Sequence, residues 1–195
     1  RFIDGTTGET IVETLTFDVD GDGMEDETTI QGRFLTDAEL TFTNEKPYVI
    51  YGFAAVNRDK ILTINAGARV HFHANSGLLI TDGASLKVNG LPSMDLELME
   101  NEVVFSGDRL EPSFENIPGQ WQTIWLFNGS TENTLNHITI KNSTVGILSD
   151  GNQDDYSKLT ITNSQIYNSS NFGILGRGTS IYGENIVINN SGQSS

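Results

Sequence analysis

Short β-branched segments, each ended by Gly, Asn, Asp or Ser, recur along most of this 195-residue chain. Such segments are too short for a β-sandwich of ordinary size, and none has the clear apolar spacing of an amphipathic helix. The segments also repeat. Ile140, Ile166 and Ile188 occupy equivalent positions at offsets of 26 and 22 residues, and Gly146 and Gly173 lie 27 residues apart. A period in the twenties indicates stacked coils.

This repeat predicts an all-β fold, a parallel β-helix in which each coil adds one layer. Every coil turns a few apolar side chains inward, and the stacked coils share one continuous core. Asn142, Asn168, and either Asn189 or Asn190 fall at equivalent corners. Asparagine tolerates the left-handed backbone of a tight corner, and its amide can bond from coil to coil. From Pro47 onward the chain has room for about six coils.

The N-terminal region has a different pattern. Residues 11–19 and 28–35 alternate as two strands around an acidic turn, which predicts a β-hairpin. We interpret residues 1–44 as the end of a β-sandwich and residues 45–195 as the β-helix. We also expect more protein on both sides of this chain.

The net charge of −15, from 11 basic and 26 acidic residues, limits the partners of the chain. Nucleic acid and anionic membrane surfaces both require basic side chains, so neither is expected. The same charge disfavours acidic polysaccharides as substrates. The acid is concentrated at one end, because residues 1–60 hold 5 basic and 13 acidic residues. No apolar run approaches the length of a membrane span, about 18 residues.

The acidic turn is the sharpest motif. Asp18, Asp20, Asp22 and Asp26 stand at positions 1, 3, 5 and 9 of a calcium loop, with glycine at position 6. Position 12 is a threonine, where an EF-hand has a bidentate glutamate, and the flanking segments are strands. Two interpretations stay open, a calcium site outside the EF-hand type and a solvated hairpin turn. Ca²⁺ is the only candidate cofactor.

Two histidines, His71 and His73, lie two residues apart on one predicted strand and share a face. If Val70 and Phe72 point inward, both imidazoles face solvent. Two imidazoles on one face can hold Zn²⁺, but the sequence offers no third ligand. A surface pair is the simpler interpretation.

The segment 106–120 interrupts the coil pattern and carries Arg109 and Phe114, and Trp121 and Trp125 follow it. Strand alternation directs Trp125 outward, and an exposed indole is a candidate for sugar stacking or protein contact. These four aromatic and basic residues are the candidate contact site. The alternative is that the loop folds over Trp125 and Phe114 and buries them as a satellite cluster, with Asp108 and Arg109 as a structural ion pair.

Five segments carry a resemblance to a known family: Thr43–Gly52, Leu62–Gly67, Phe72–Leu78, Phe105–Pro112 and Ile117–Trp121. They resemble Bacteroidota extracytoplasmic right-handed parallel β-helix repeat proteins, many of which are lipoproteins. The resemblance covers most of residues 40–195. It implies a right-handed β-helix behind an immunoglobulin-like segment, with a lipid anchor upstream. It also implies a location at the cell surface or outer membrane, with the periplasm as the alternative, but no reaction.

We therefore expect a non-catalytic envelope module, a scaffold or binding subunit whose partners are envelope proteins or surface polysaccharide. The alternative is a carbohydrate-active enzyme, a polysaccharide lyase or glycoside hydrolase on the same fold. Its candidate groups are Asp150, Asp154, Asp155, Lys158 and Arg177. Since residues 150–155 have the composition of a protruding turn between coils, the sequence assigns no catalytic residue.

Overall fold

The computed structural model describes residues 1–6, 10–17, 26–95, 97–151 and 157–192, without the side chains of residues 10–17, 26–29 and 31. It is an all-β chain with two short 3₁₀ turns, Asp37–Glu39 and Pro112–Phe114. The strands are β1 (Phe2–Asp4), β2 (Thr10–Phe17), β3 (Asp26–Phe34), β4 (Thr41–Phe42), β5 (Tyr48–Tyr51), β6 (Phe53–Val56), β7 (Ile61–Asn65), β8 (Arg69–Phe72), β9 (Gly77–Ile80), β10 (Ser85–Asn89), β11 (Val103–Gly107), β12 (Ile124–Leu126), β13 (Asn133–Asn136), β14 (Ile138–Lys141), β15 (Val145–Asp150), β16 (Leu159–Ser169), β17 (Phe172–Arg177) and β18 (Ile181–Ser191).

These strands stack as a parallel β-solenoid of about six turns, which confirms the fold predicted from the repeat. The first sheet has the order β1-β5-β8-β11-β14-β16-β13-β10-β7-β4, and β18 also pairs with β16. It therefore contains two strand stacks that meet in β16, whose two halves pair with β13 and β14. The second sheet has the order β17-β15-β12-β9-β6-β3-β2. Each turn of the solenoid contributes strands to both sheets.

The core lies between the sheets and consists of apolar columns that run from coil to coil. Ile140 pairs with Ile166 and Ile166 with Ile188, so the predicted repeat positions are neighbours in the ladder. A second column joins Ile64, Val88, Leu135 and Ile161, all buried. Burying each aliphatic side chain stabilises the fold by about 1.5–3 kcal/mol. Repetition of these columns holds the solenoid together.

Asparagines form a ladder at one corner of the coils. The Asn168 amide donates to Oδ1 of Asn142 at 3.3 Å, and the Asn190 amide donates to Oδ1 of Asn168 at 2.6 Å. All three residues have positive φ, between 53° and 64°. The predicted ladder is confirmed, and its third rung is Asn190. The amides satisfy one another at a corner where left-handed backbone is required.

The described N-terminal strands belong to the same sheets as the coils. β2 and β3 form an antiparallel hairpin, while β1, β3 and β4 pair in parallel with β5, β6 and β7. The immunoglobulin-like origin of this segment and the boundary at residue 44 stay predictions. Asp18, Asp20 and Asp22 lie outside the described residues, as does the side chain of Asp26, so the calcium site also stays a prediction.

Candidate binding groove on the outer face of the first sheet

Strand alternation brings four polar side chains into one row on the outer face of the first sheet. Ser106 pairs with His71, and Lys141 pairs with Tyr167. Ser106 also lies beside Lys141, because their preceding residues pair with each other. Neighbouring strands lie about 4.8 Å apart, so the four side chains stand close together. The residues that alternate with them point inward and are buried: Phe72, Phe105, Ile140 and Ile166.

The first of two inserted segments, residues 91–102, lies beside this row. Arg69 anchors it, because its guanidinium donates to the carbonyl oxygens of Leu98, Met99 and Glu102 at 3.0, 2.7 and 2.8 Å. The Glu102 carboxylate in turn accepts from the Thr139 hydroxyl at 3.0 Å. Burial lowers the pKa of Arg69, yet the guanidinium remains charged because its ordinary pKa is so high. The segment is thus tied to the sheet.

The second inserted segment, residues 108–120, lies beside the other end of the row. The Gln120 amide donates to the carbonyl oxygens of Phe114 and Ile117 at 2.6 and 2.8 Å. Asn142 donates to the carbonyl oxygen of Glu115 at 2.9 Å, which joins the loop to the sheet. A Cβ at Gly107 would stand 2.3 Å from the Gln120 side chain, so only glycine admits this packing. The loop therefore has one defined position.

Between the second loop and the sheet lies a cavity of about 320 Å³, which we call the outer groove. Polar groups dominate its lining, and the sheet supplies its floor while the loop supplies one wall. The lining residues are Ser106, Gly107, Arg109, Leu110, Pro112, Glu115, Lys141 and Asn142. A half-open polar cleft with a sheet as its floor is suited to hold a hydroxyl-rich ligand.

The titratable groups of the row are in defined states near neutral pH. His71 contacts the Ser106 hydroxyl through Nδ1 at 2.9 Å, and burial lowers its pKa below the ordinary value of 6.5. Burial raises the pKa of Tyr167 above 10, and Glu115 and Glu102 raise it further. The row therefore presents a neutral imidazole, a hydroxyl and a protonated phenol beside Lys141.

His73 has a separate set of contacts near the same groove. Its Nδ1 lies 2.8 Å from the Asp108 carboxylate, and its ring stacks on Tyr51 with centroids 4.1 Å apart. The predicted ion pair between Asp108 and Arg109 is wrong, because Arg109 pairs with Glu111 at 3.1 Å. Among the described residues, no group of three or more His, Asp or Glu residues could hold a metal ion.

The four predicted contact residues divide into two pairs. Arg109 lines the outer groove, and its guanidinium stacks on the Phe114 ring at 3.9 Å. Trp121 is fully buried in the core, and Trp125 is only 4% exposed. The expected exposure of Trp125 is therefore wrong, although its outward direction is right. Trp125 belongs to a second apolar cluster, outside the main core, rather than to the loop around Phe114.

Asp150 binds Trp125 and Arg177 together on the outer face of the second sheet. Its carboxylate accepts from the Trp125 indole at 2.7 Å and from the Arg177 guanidinium at 2.5 and 2.6 Å. The Lys158 ammonium is buried beside this cluster and donates to the carbonyl oxygens of Phe127, Asn128 and Asp150. Asp154 and Asp155 lie outside the described residues. Asp150 and Lys158 therefore serve local structure.

Because Lys158 is buried, we expect the free energy of unfolding to rise with pH. Burial lowers its pKa from 10.5 to about 8 in the folded state. Between these values the unfolded chain binds more protons, so the free energy of unfolding should increase with pH. We expect a gain of about 1–2 kcal/mol between pH 7.5 and 9.5, measured by urea unfolding.

The gain should disappear in Lys158→Met and persist in Lys46→Met, which removes an exposed lysine. An equal pH slope in both variants would contradict the assignment to Lys158. Because each variant is compared with the parent at every pH, tyrosine ionisation cancels from the difference.

Sequence reasoning missed the row because its members are unevenly spaced. Ser106 and Lys141 are 35 residues apart, whereas Lys141 and Tyr167 are 26 apart. The inserted loop lengthens the first interval. One local sequence signal could have shown that these side chains point outward. Each residue of the row directly follows a strongly apolar position of a predicted strand.

No helix among the described residues has the length and apolar character to cross a bilayer. Comparison with family models, with curated proteins and with solved structures found no match to this chain.

Proposed function

We propose that this chain is a non-catalytic binding module of the cell envelope, which holds a segment of surface polysaccharide in the outer groove. The observation that supports this proposal is the cavity of about 320 Å³ between the loop 108–120 and the sheet, lined on the sheet side by Ser106 and Lys141 of the row. The resemblance to Bacteroidota extracytoplasmic β-helix lipoproteins supports the same location. In this proposal the module is one subunit of a larger complex of the cell envelope.

The chemistry of the groove supports a sugar chain as the ligand. Hydroxyl, amide and ammonium groups can each bond sugar hydroxyls, and the Phe114 ring lies beside the groove beneath Arg109. The extended row runs across successive coils and matches a linear ligand better than a compact one. The net charge of −15 argues against nucleic acid as the occupant.

The test is a glycan array probed with the purified chain and two tryptophan variants. Leu110 lines the groove and is 70% exposed, so Leu110→Trp should narrow the cavity without disturbing the core. We expect this variant to lose at least ten-fold in affinity for the glycans that the parent binds. Ile61→Trp, at an exposed position of β7, is the matched control and should bind like the parent. No binding to any glycan, or equal binding by both variants, would refute the proposal.

A polysaccharide lyase is the second candidate, favoured by one observation. Lys141 lines the groove and Tyr167 is its register partner on the next strand, and lyases remove a proton with such groups. A glycoside hydrolase is less suitable, since Glu115 is the only carboxylate among the described residues that line the cavity and hydrolysis needs two. Incubation of the bound glycan with the chain should leave it intact. Appearance of an unsaturated sugar, seen by its ultraviolet absorbance, would replace the binding function with the lyase.

A further inference from the structure

Lys141 differs from the other basic residues of the chain. Eight of the 11 basic side chains form ion pairs or donate to carbonyl oxygens. Within the described ranges, the charged groups of Lys46, Arg58 and Lys141 have no such partner. Lys46 and Arg58 are exposed to water, whereas Lys141 is half-buried and lines the outer groove.

The fold holds Lys141 in this position firmly. β14 pairs with β11 on one side and β16 on the other. The Lys141 carbonyl oxygen accepts from the buried Trp121 indole at 2.9 Å. Glu115 lines the same cavity, but no ion pair joins it to Lys141 in the described structure. The Lys141 backbone is therefore held in place beside the cavity that the residue lines.

A half-buried lysine whose ammonium has no partner among the described residues can form a charge-assisted hydrogen bond with an anion that enters the cavity. We propose that the outer groove recognises a carboxylate on its sugar ligand, a uronic acid unit, through the Lys141 ammonium. This inference rests on the proposed function, because it names the chemical class of the same ligand. Ser106, the neighbour of Lys141 in the row, also lines the cavity, but its buried hydroxyl is bonded to His71 and to the Gly107 carbonyl oxygen, so the ammonium is the group left for the ligand.

The overall charge of −15 does not oppose a contact of this kind. Half of the acidic residues lie in residues 1–60. In the part of the chain that the structure describes, the charged residues that line the groove beside Lys141 are Glu115 and the paired Arg109. Charges beyond about 10 Å are largely screened at 0.1 M salt, whereas a direct ion pair is screened much less. Binding should therefore persist at physiological ionic strength, unlike non-specific electrostatic adsorption.

The experiment is calorimetric titration of the full chain with galacturonate, glucuronate and mannuronate trimers and with the neutral methyl ester of each. We expect at least one acidic trimer to bind at least ten-fold tighter than its ester. Lys141→Met should abolish that preference, so that acid and ester bind equally, and Lys141→Arg should restore most of it. Glu115→Gln should tighten acidic binding. Lys46→Met is the matched control and should behave like the parent. Circular dichroism and melting temperature confirm that each variant is folded.

The outcomes separate the two proposals. Equal affinity for acid and ester, unchanged in Lys141→Met, refutes the carboxylate inference and leaves glycan binding intact. If no sugar binds, either in the titration or on the glycan array, the proposed function itself is refuted. Equal binding of a poly-glutamate peptide and an acidic trimer also overturns the inference, because the groove would then recognise acidic peptides rather than uronic acids.

Discussion

Replacing Trp121 with alanine should lower the free energy of unfolding by about 4 kcal/mol. Trp121 is fully buried and stacks on Phe72 with ring centroids 4.3 Å apart. The substitution opens a cavity in the core and leaves the Lys141 carbonyl oxygen without the indole donor. Urea unfolding followed by circular dichroism measures the loss.

Trp121→Phe separates the effect of the core cavity from the effect of the lost indole hydrogen bond. Phenylalanine retains a ring against Phe72 but cannot donate to the Lys141 carbonyl, so we expect a smaller loss of about 1–2 kcal/mol. Met94→Ala is the surface control, since Met94 is 95% exposed, and should change stability by less than about 0.5 kcal/mol. A Trp121→Ala protein as stable as this control would show that the core tolerates the missing indole.

Replacing Asn168 with alanine should destabilise the chain by about 3 kcal/mol. Asn168 is the middle rung of the corner ladder and is buried. Its loss removes the bonds to Asn142 and Asn190 and a third bond to Asn116 at 3.3 Å. Alanine must also adopt the positive φ of 56°, which an L residue with a Cβ resists. Thermal and urea unfolding measure the effect.

Two comparisons isolate the cause. Asn168→Gly loses the same hydrogen bonds but accepts positive φ, so it should be about 1 kcal/mol more stable than Asn168→Ala. Asn163→Ala changes an exposed asparagine outside this ladder, which has a φ of 50° and bonds to Asn136 and Asn185 in neighbouring coils, partners that can bond to water instead. It should cost about half as much. If Asn163→Ala and Asn168→Ala lost equal stability, burial of the ladder would contribute nothing to the stability of the chain.

The coil stacking was predictable from the sequence because each coil repeats a similar local pattern. Ile140, Ile166 and Ile188 are register partners, and Asn142, Asn168 and Asn190 form the predicted ladder. Apolar side chains at equivalent positions can be buried together only if the coils stack in register.

The groove was less accessible to sequence reasoning. Arg109 and Phe114 were predicted from the sequence as candidate contact residues, but Ser106 and Lys141 were not. Alternation established that Trp125 points outward, yet it could not show that a second apolar cluster buries the indole. A single strand specifies a side chain's direction, whereas its exposure depends on what packs over that face.

The sequence by itself determined the solenoid, its inward columns and the asparagine corners, because these depend on local periodicity repeated from coil to coil. Only the tertiary structure decided that His71, Ser106, Lys141 and Tyr167 form one row, and that Lys141 lines a cavity without a partner among the described residues. Residues that lie 26 and 35 positions apart become neighbours through strand register, and inserted loops of unequal length hide that register from a reading of the chain.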